Sequence, residues 1–299
     1  MTTLFTDNFP TVRSDKELNV LKAQYSAYDE YYIASGSIPD RKQRFEELYK
    51  TYEPYADRHF LRQVKKNFHQ RTWEMYLACV FIANGIQISS SNKGPDIKIF
   101  KNGQTIWIEC IAPAQGTGPD RVPNVQTEGL HSVPEDEMVL RLSAALKEKF
   151  IKYQEYLSKG IVAPKDIFII AVNRGNFDYP DTDLPLIFKC LFGLGHLTLS
   201  MDFSPEKGET VGSPYSHYSQ RISLVKKQGG SVPMNFFGNT AHAGISAVIY
   251  SKEFVLRHPK RLGEDCILVH NPLATNSLSP DTFRFFTQHK VQGEELVKI

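Results

Sequence analysis

Gly94-Pro95-Asp96-Ile97-Lys98-Ile99-Phe100-Lys101-Asn102-Gly103-Gln104-Thr105-Ile106-Trp107-Ile108-Glu109-Cys110-Ile111 is the stretch whose reading decides the fold. Side chains alternate in character over 96–100 and again over 106–111, the period of a β-strand. Between the two runs, Asn102-Gly103 is the residue pair best suited to a two-residue hairpin turn, whose central positions take positive φ. With that pair as the loop, Lys101 faces Gln104, and counting outward sets Asp96 opposite Glu109. Opposed residues share a face with side-chain bases about 5 Å apart. Two carboxylates therefore stand together on one face, while Ile97, Ile99, Ile106, Ile108 and Cys110 line the other as a core. Like charges placed this way cost a sheet up to about 1 kcal/mol unless something offsets them. A divalent cation is one such offset, because hard oxygen ligands at this spacing suit Mg2+ or Mn2+. A solvated face on which Lys98 balances the pair is the other.

Upstream of the hairpin, the period changes to that of helices. The run 40–48 places Asp40 as a capping residue before a charged amphipathic segment. Residues 55–84 read as two helices. In the second, Trp73, Tyr76, Leu77, Val80 and Phe81 recur three and four apart as a core-facing stripe, with Gly85 at the expected helix end. Ile86-Gln87-Ile88 reads as a short strand. Downstream, a Pro/Gly-rich loop over 113–134 leads to a long helix over 135–157 and a buried strand over 166–172. Beyond it the pattern gives a helix near 184–192 and strands near 197–201, 245–250 and 267–270. The order predicts a mixed α/β fold, without internal repeats or low-complexity blocks. The expected organisation is an N-terminal helical extension over 1–66 and an α/β domain over 67–299, the latter with a core over 68–172 and an elaboration over 173–299.

Composition sets outer bounds. The chain has 299 residues, with 35 Lys+Arg against 33 Asp+Glu and 41% hydrophobic residues. That balance excludes collagen-like, coiled-coil and wholly disordered chains, and a uniformly basic histone-like binder. The most apolar stretch, 75–86, is too short to cross a bilayer and is broken by Asn84 and Gly85. No basic n-region followed by an apolar run opens the sequence, so a cytoplasmic protein is expected. Cys79, Cys110, Cys190 and Cys266 are scattered too widely for a disulfide framework or a structural zinc site.

A helix with Glu74 in its middle, a strand, Pro95-Asp96, a hairpin and then Glu109 within an apolar strand together resemble the PD-(D/E)xK nuclease superfamily, whose fold is restriction-endonuclease-like. The resemblance spans roughly 68–172 in the order α-β-β-β-α-β. It implies a Mg2+- or Mn2+-dependent endonuclease hydrolysing DNA phosphodiester bonds, in defence or mobile-element biology, with RNA not excluded and a homodimer allowed. It implies Glu74, Asp96 and Glu109 as metal ligands, with Asp96 and Glu109 also catalytic. The superfamily lysine two residues after the second acid falls here on Ile111, which can neither orient water nor stabilise phosphate charge. The long helix after the hairpin carries Arg141, Ala145, Lys149 and Lys152 on one side, and superfamily members relocate the lysine to a neighbouring element. Lys149 is thus the expected catalytic lysine and Arg141 a phosphate contact, with Gln115 and Lys98 as further candidates. Without a lysine at 111, the alternative function is an inactive nuclease-like module that binds nucleic acid or a protein partner. An unrelated metal-dependent phosphoesterase using the same carboxylates is a third reading.

For Glu74, a structural salt bridge with Arg71 or Lys98 is the alternative to a metal. Basic residues cluster at Arg58, His59, Arg62, Lys65, Lys66, His69 and Arg71, from which Lys65, Lys66 and Arg71 are the expected nucleic-acid contacts. A second basic cluster runs from Lys252 through Arg257, His258 and Lys260 to Arg261. Both read equally as solvated surface. Cys110 points to the isoleucine face and is expected to be a core thiol.

Overall fold

The computed structural model describes residues 2–90, 93–125, 128–254, 256, 257, 259, 261–293 and 295–299. The N-terminal segment is helical: α1 (Asp15–Gln24), α2 (Glu30–Ser37), α3 (Pro39–Tyr52) and α4 (Phe60–Val64). They lead into α5 (Phe68–Ala83) and then β1 (Ile88–Ser89), β2 (Ile97–Lys101) and β3 (Gln104–Ile111). The crossover helix α6 (Glu135–Ser158) connects to β4 (Ile167–Asn173), followed by α7 (Leu186–Phe192). The strands β5 (Leu194–Ser204), β6 (Glu209–Gln220), β7 (Ser223–Val225) and β8 (Ser231–Pro233) come next. The chain ends with β9 (Ala247–Ser251), β10 (Cys266–His270), β11 (Thr287–Gln292) and β12 (Glu295–Lys298).

Eight strands form one mixed sheet in the order β1-β2-β3-β4-β9-β10-β11-β12. The β2–β3 hairpin has the anticipated register: Lys101 pairs with Gln104, Ile99 with Ile106 and Ile97 with Ile108. Its turn follows from the chemistry of the pair, since Asn102 (φ 53°) and Gly103 (φ 75°) both adopt the left-handed backbone of a primed turn. β3 runs parallel to β4, and β4 parallel to β9. Parallel neighbours need a crossover of a dozen or more residues, and α6 supplies the first of them.

Two apolar layers enclose this sheet. On one face Ile97, Ile99, Ile106, Ile108 and Cys110 pack with α5 and the aromatic residues of the N-terminal helices, including Phe5, Tyr32, Phe45 and Phe60. On the other, Trp107, Ile111, Phe168 and Ile170 pack with α6 and α7. Both faces of β3 and β4 are therefore buried, and β4 reads as an unbroken apolar run.

Three details differ from the sequence expectations. Helix α5 buries nearly its whole circumference rather than a stripe, because α3 and α4 cover the side turned away from the sheet. Its end is as expected: Gly85 N–H bonds to Ile82 O and Ile86 N–H to Phe81 O, with Gly85 at φ 71°. Asp40 is not the cap of α3. Pro39 takes the first helical position and Ile38 the cap, which Pro favours because its missing N–H would have no partner there. The strand at 86–88 shrinks to Ile88–Ser89. The four cysteines are all buried and free, and among the described residues no helix is long and apolar enough to cross a membrane.

Candidate active site

Glu109 leaves the core of β3 on the face covered by α6, and the helix closes over it completely, to 0% exposure. A bare carboxylate there would be prohibitively costly, and α6 compensates it. Lys149 Nζ lies 2.9 Å and Lys152 Nζ 2.6 Å from Glu109 Oε1, while Tyr156 OH donates to Oε2 at 3.2 Å. Residues 149, 152 and 156 lie three and four apart, so one side of the helix presents all three groups to one acid. Lys149 is itself buried, whereas Lys152 is 43% exposed along its side chain. Burial alone would lower the pKa of both ammonium groups, but Glu109 carries each above its ordinary value.

Asp96 stands just before β2, half-buried, and its Oδ2 accepts the Cys110 N–H at 2.7 Å. Its pKa rises to about 6, through burial first and the charge of Glu109 second, against the Cys110 hydrogen bond and the two lysines. The mutual repulsion of these acids is the electrostatic signature of the shared face read from the hairpin. Lys98 also belongs to this face, over the Trp107 ring at 4.7 Å, rather than on a solvated surface. Cys110 is a core thiol, its pKa pushed up by burial.

Glu74 approaches from α5, on the other side of the sheet. Its Oε2 lies 2.6 Å from Arg71 Nη1, and its Oε1 accepts from Gln70 at 2.9 Å. Burial, then the charge of Asp96, lifts its pKa to about 8 against the opposing pull of Arg71. Gln70 joins the two sides: its amide also donates to Cys110 O at 3.1 Å, and its oxygen accepts the Ala112 N–H at 2.8 Å. Glu74 therefore senses Asp96 electrostatically but is held by Arg71, the salt bridge weighed as its alternative to a metal.

The nucleic-acid candidates are scattered. Arg71 is buried between Asp57 and Glu74 and presents no cation to solvent, which corrects its expected contact role. Lys65 is tied to Asp7 at 2.7 Å. Lys66 is exposed on the rim of a cavity of about 440 Å3 that Gln70, Ala112 and Gln115 also line. Gln115 accepts from Arg121. Arg141 holds the loop after β3 through Ala114 O at 2.9 Å, and its two terminal nitrogens have no hydrogen-bond partner among the described residues. In the C-terminal cluster, Lys252 and Arg257 pair with Asp181 and Asp178, while His258 and Lys260 lie outside the described residues.

Comparison with family models, curated proteins and solved structures finds no match. The site therefore stands on its own geometry.

Among the described residues, no group of three or more His, Cys, Asp or Glu side chains is placed to hold a metal ion. Asp96 and Glu109 nevertheless offer the hard oxygens that Mg2+ accepts, and Mg2+ commonly takes only one or two protein carboxylates and completes its shell with water and phosphate oxygens. Asp96 Oδ1 makes no hydrogen bond among the described residues, and the pKa values of Asp96 and Glu74 are raised by burial first and by the neighbouring acids second. In donor chemistry Asp96 suits a divalent ion, whereas the charge of Glu109 is already met by Lys149 and Lys152.

Sequence reasoning named Asp96, Glu109 and Lys149 together but left Tyr156 and Gln70 unassigned. Tyr156 continues the spacing of Lys149 and Lys152, and Gln70 sits one turn before Glu74. Both were findable from helical periodicity once the partner acid was known.

Proposed function

We propose that the chain is a metal-dependent nuclease of the PD-(D/E)xK type acting on DNA, with a restriction-endonuclease-like core over 68–172 and its lysine relocated to α6. The single observation that carries this reading is Lys149 Nζ at 2.9 Å from Glu109 Oε1, on the sheet face shared with Asp96. Asp96 and Glu109 are the residues that would hold Mg2+ or Mn2+. When bound, the ion would polarise a phosphate and lower the pKa of a bound water. Lys149 and Lys152 supply fixed positive charge where a phosphodiester gains negative charge on cleavage. Lys149 remains an ammonium at neutral pH, so its role is to stabilise charge rather than to abstract a proton. Tyr156 orients Glu109 through its hydroxyl, and α6 and Trp107 keep water from the inner side of the pair. Arg141 and Lys66 are the cations placed to meet the flanking phosphates.

A second reading has its own support. Both oxygens of Glu109 are already bonded by groups of the chain, which suits an inactive nuclease-like module that binds nucleic acid or a protein partner. Incubation of plasmid and single-stranded DNA with Mg2+ or Mn2+ separates the two. The nuclease reading expects cleavage that Asp96→Ala abolishes and Lys149→Met reduces by at least about a hundredfold, the usual scale for losing a transition-state charge contact. Cleavage surviving Asp96→Ala would overturn the site, and binding without cleavage under all these conditions would establish the module.

A further inference from the structure

Strands β5 and β6 are the two longest extended segments after α6, of 11 and 12 residues. They pair only with each other among the described residues. A two-stranded ribbon of this kind is marginal in water without something packed on it. Its side chains are arranged the wrong way round for an isolated surface ribbon. Leu197, Leu199, Met201 and Phe203 occupy every second position of β5, across an irregularity in its pairing with β6 between Ser200 and Asp202, and are 54%, 73%, 43% and 60% exposed. Thr198 and Ser200, between them, are half-buried. On β6, Tyr218 and Ser216 stand opposite Leu197 and Leu199, extending the same face without adding charge.

We infer that this ribbon is the contact surface for a second copy of the chain, with two ribbons packed face to face about a twofold axis. A row that is apolar and uncharged is complementary to itself, which is what an isologous contact requires. Sheets packed this way lie about 10 Å apart with their inner side chains interdigitated. The four exposed side chains of β5 present roughly 400–500 Å2 of apolar surface per copy. Two copies therefore bury at most about 800–1,000 Å2, at or just under the lower bound for a specific interface, so the dimer is a weak one that forms in a concentration-dependent way. Charge selects this occupant over nucleic acid. A two-stranded ribbon fits a DNA major groove, but the tip of this one carries Asp202, Glu206 and Glu209 against Lys207. Antiparallel packing of the two ribbons keeps those acidic tips at opposite ends. The inference does not depend on the nuclease reading, since its readout is mass and not cleavage.

Sedimentation velocity of the full chain over a concentration series tests it. The wild type is expected to shift from monomer toward dimer, and Leu199→Lys and Phe203→Ser are each expected to weaken the dimer by about tenfold or more. Val20→Lys, at an exposed position on α1, is expected to leave it unchanged. Circular dichroism confirms that each variant is folded; should Leu199→Lys not fold, Leu199→Ser makes the same test without a charge. A wild type that stays monomeric up to roughly 100 μM overturns the inference. A dimer that persists in both ribbon variants overturns it as well.

Discussion

Replacing Glu109 with glutamine takes one negative charge from a pocket that holds two ammonium groups. Lys152 is 43% exposed along its side chain and can turn to water, whereas Lys149 is 9% exposed and cannot. The cost therefore falls mainly on Lys149, left as a buried cation with Tyr156 and the glutamine oxygen for company. Removing one partner of a buried pair costs about 3–5 kcal/mol. The surviving amide oxygen returns part of this as a weaker hydrogen bond, so Glu109→Gln is expected to destabilise the fold by about 3 kcal/mol. Urea unfolding measures it as a lower midpoint at unchanged slope.

The pH dependence makes the test sharper. In the wild type the Lys149 pKa is raised above its ordinary 10.5, so its contribution is fully present below that pH and lost only above it. Without Glu109, burial and the like charge of Lys152 remain and lower the pKa, against the smaller pull of Asp96. The folded state of the variant then binds the Lys149 proton less readily than the unfolded chain does. Its stability rises with pH, and the deficit against wild type narrows between neutral pH and pH 10. Adding Lys149→Met to Glu109→Gln should recover most of the loss, since an apolar replacement of a buried pair is near neutral. A deficit under about 1 kcal/mol, or one that does not change with pH, would refute the claim that this pair is buried and coupled.

Three further outcomes are expected. With chelator present, Glu74 has a folded pKa of about 8 against 4.5 unfolded, raised by burial and then Asp96; stability should fall as pH rises from 4.5 to 8, and Glu74→Gln should remove that fall in urea titrations. His69, whose pKa burial lowers to about 4 against the hydrogen bond to Asn173, should cost stability as pH falls from 6.5 toward 4, by on the order of 2–3 kcal/mol, and His69→Leu should flatten that limb of the curve. Gln70→Leu strips a partner from Ala112 N–H and from Cys110 O and should cost about 1–3 kcal/mol; a change within experimental error would mean that water replaces the amide.

How far the fold was legible depended on whether its determinants were local. The hairpin was legible because Asn102-Gly103 sets its own backbone and thereby the register of the residues paired from 97 to 108. The end of α5 was legible for the same reason, through Gly85. What could not be read was which surfaces meet. The burial of Glu109 depends on α6 crossing that face some forty residues later, so a charged strand position looked as compatible with solvent as with a core. Arg71 looked like one cation of a basic patch, yet Asp57 and Glu74 claim it from two directions. The last two strands, β11 and the edge strand β12, Thr287-Gln288-His289-Lys290-Val291-Gln292 and Glu295-Leu296-Val297-Lys298, lack clean alternation because much of their surface stays half-exposed. Their pairing is supplied by the sheet rather than by their own pattern.

On the nuclease reading proposed above, the isoleucine at 111 and the charged side of α6 are two halves of one arrangement. Residues 109 and 111 share a face of β3, and Ile111 belongs to the apolar cluster that includes Val122, Met138 and Leu142. A lysine at 111 would have to run its stem through that layer and bring a third ammonium to a carboxylate that already holds two. Helix α6 delivers cations to the same carboxylate from above, where Lys152 can shed its excess charge to solvent and Lys149 cannot. Position 111 is then released to pack, and the helix is anchored to β3 through the two ion pairs of Lys149 and Lys152 with Glu109. The isoleucine is therefore not evidence of a lost site by itself. With the positive charge supplied from the helix, a buried apolar side chain at 111 packs with the sheet layer instead.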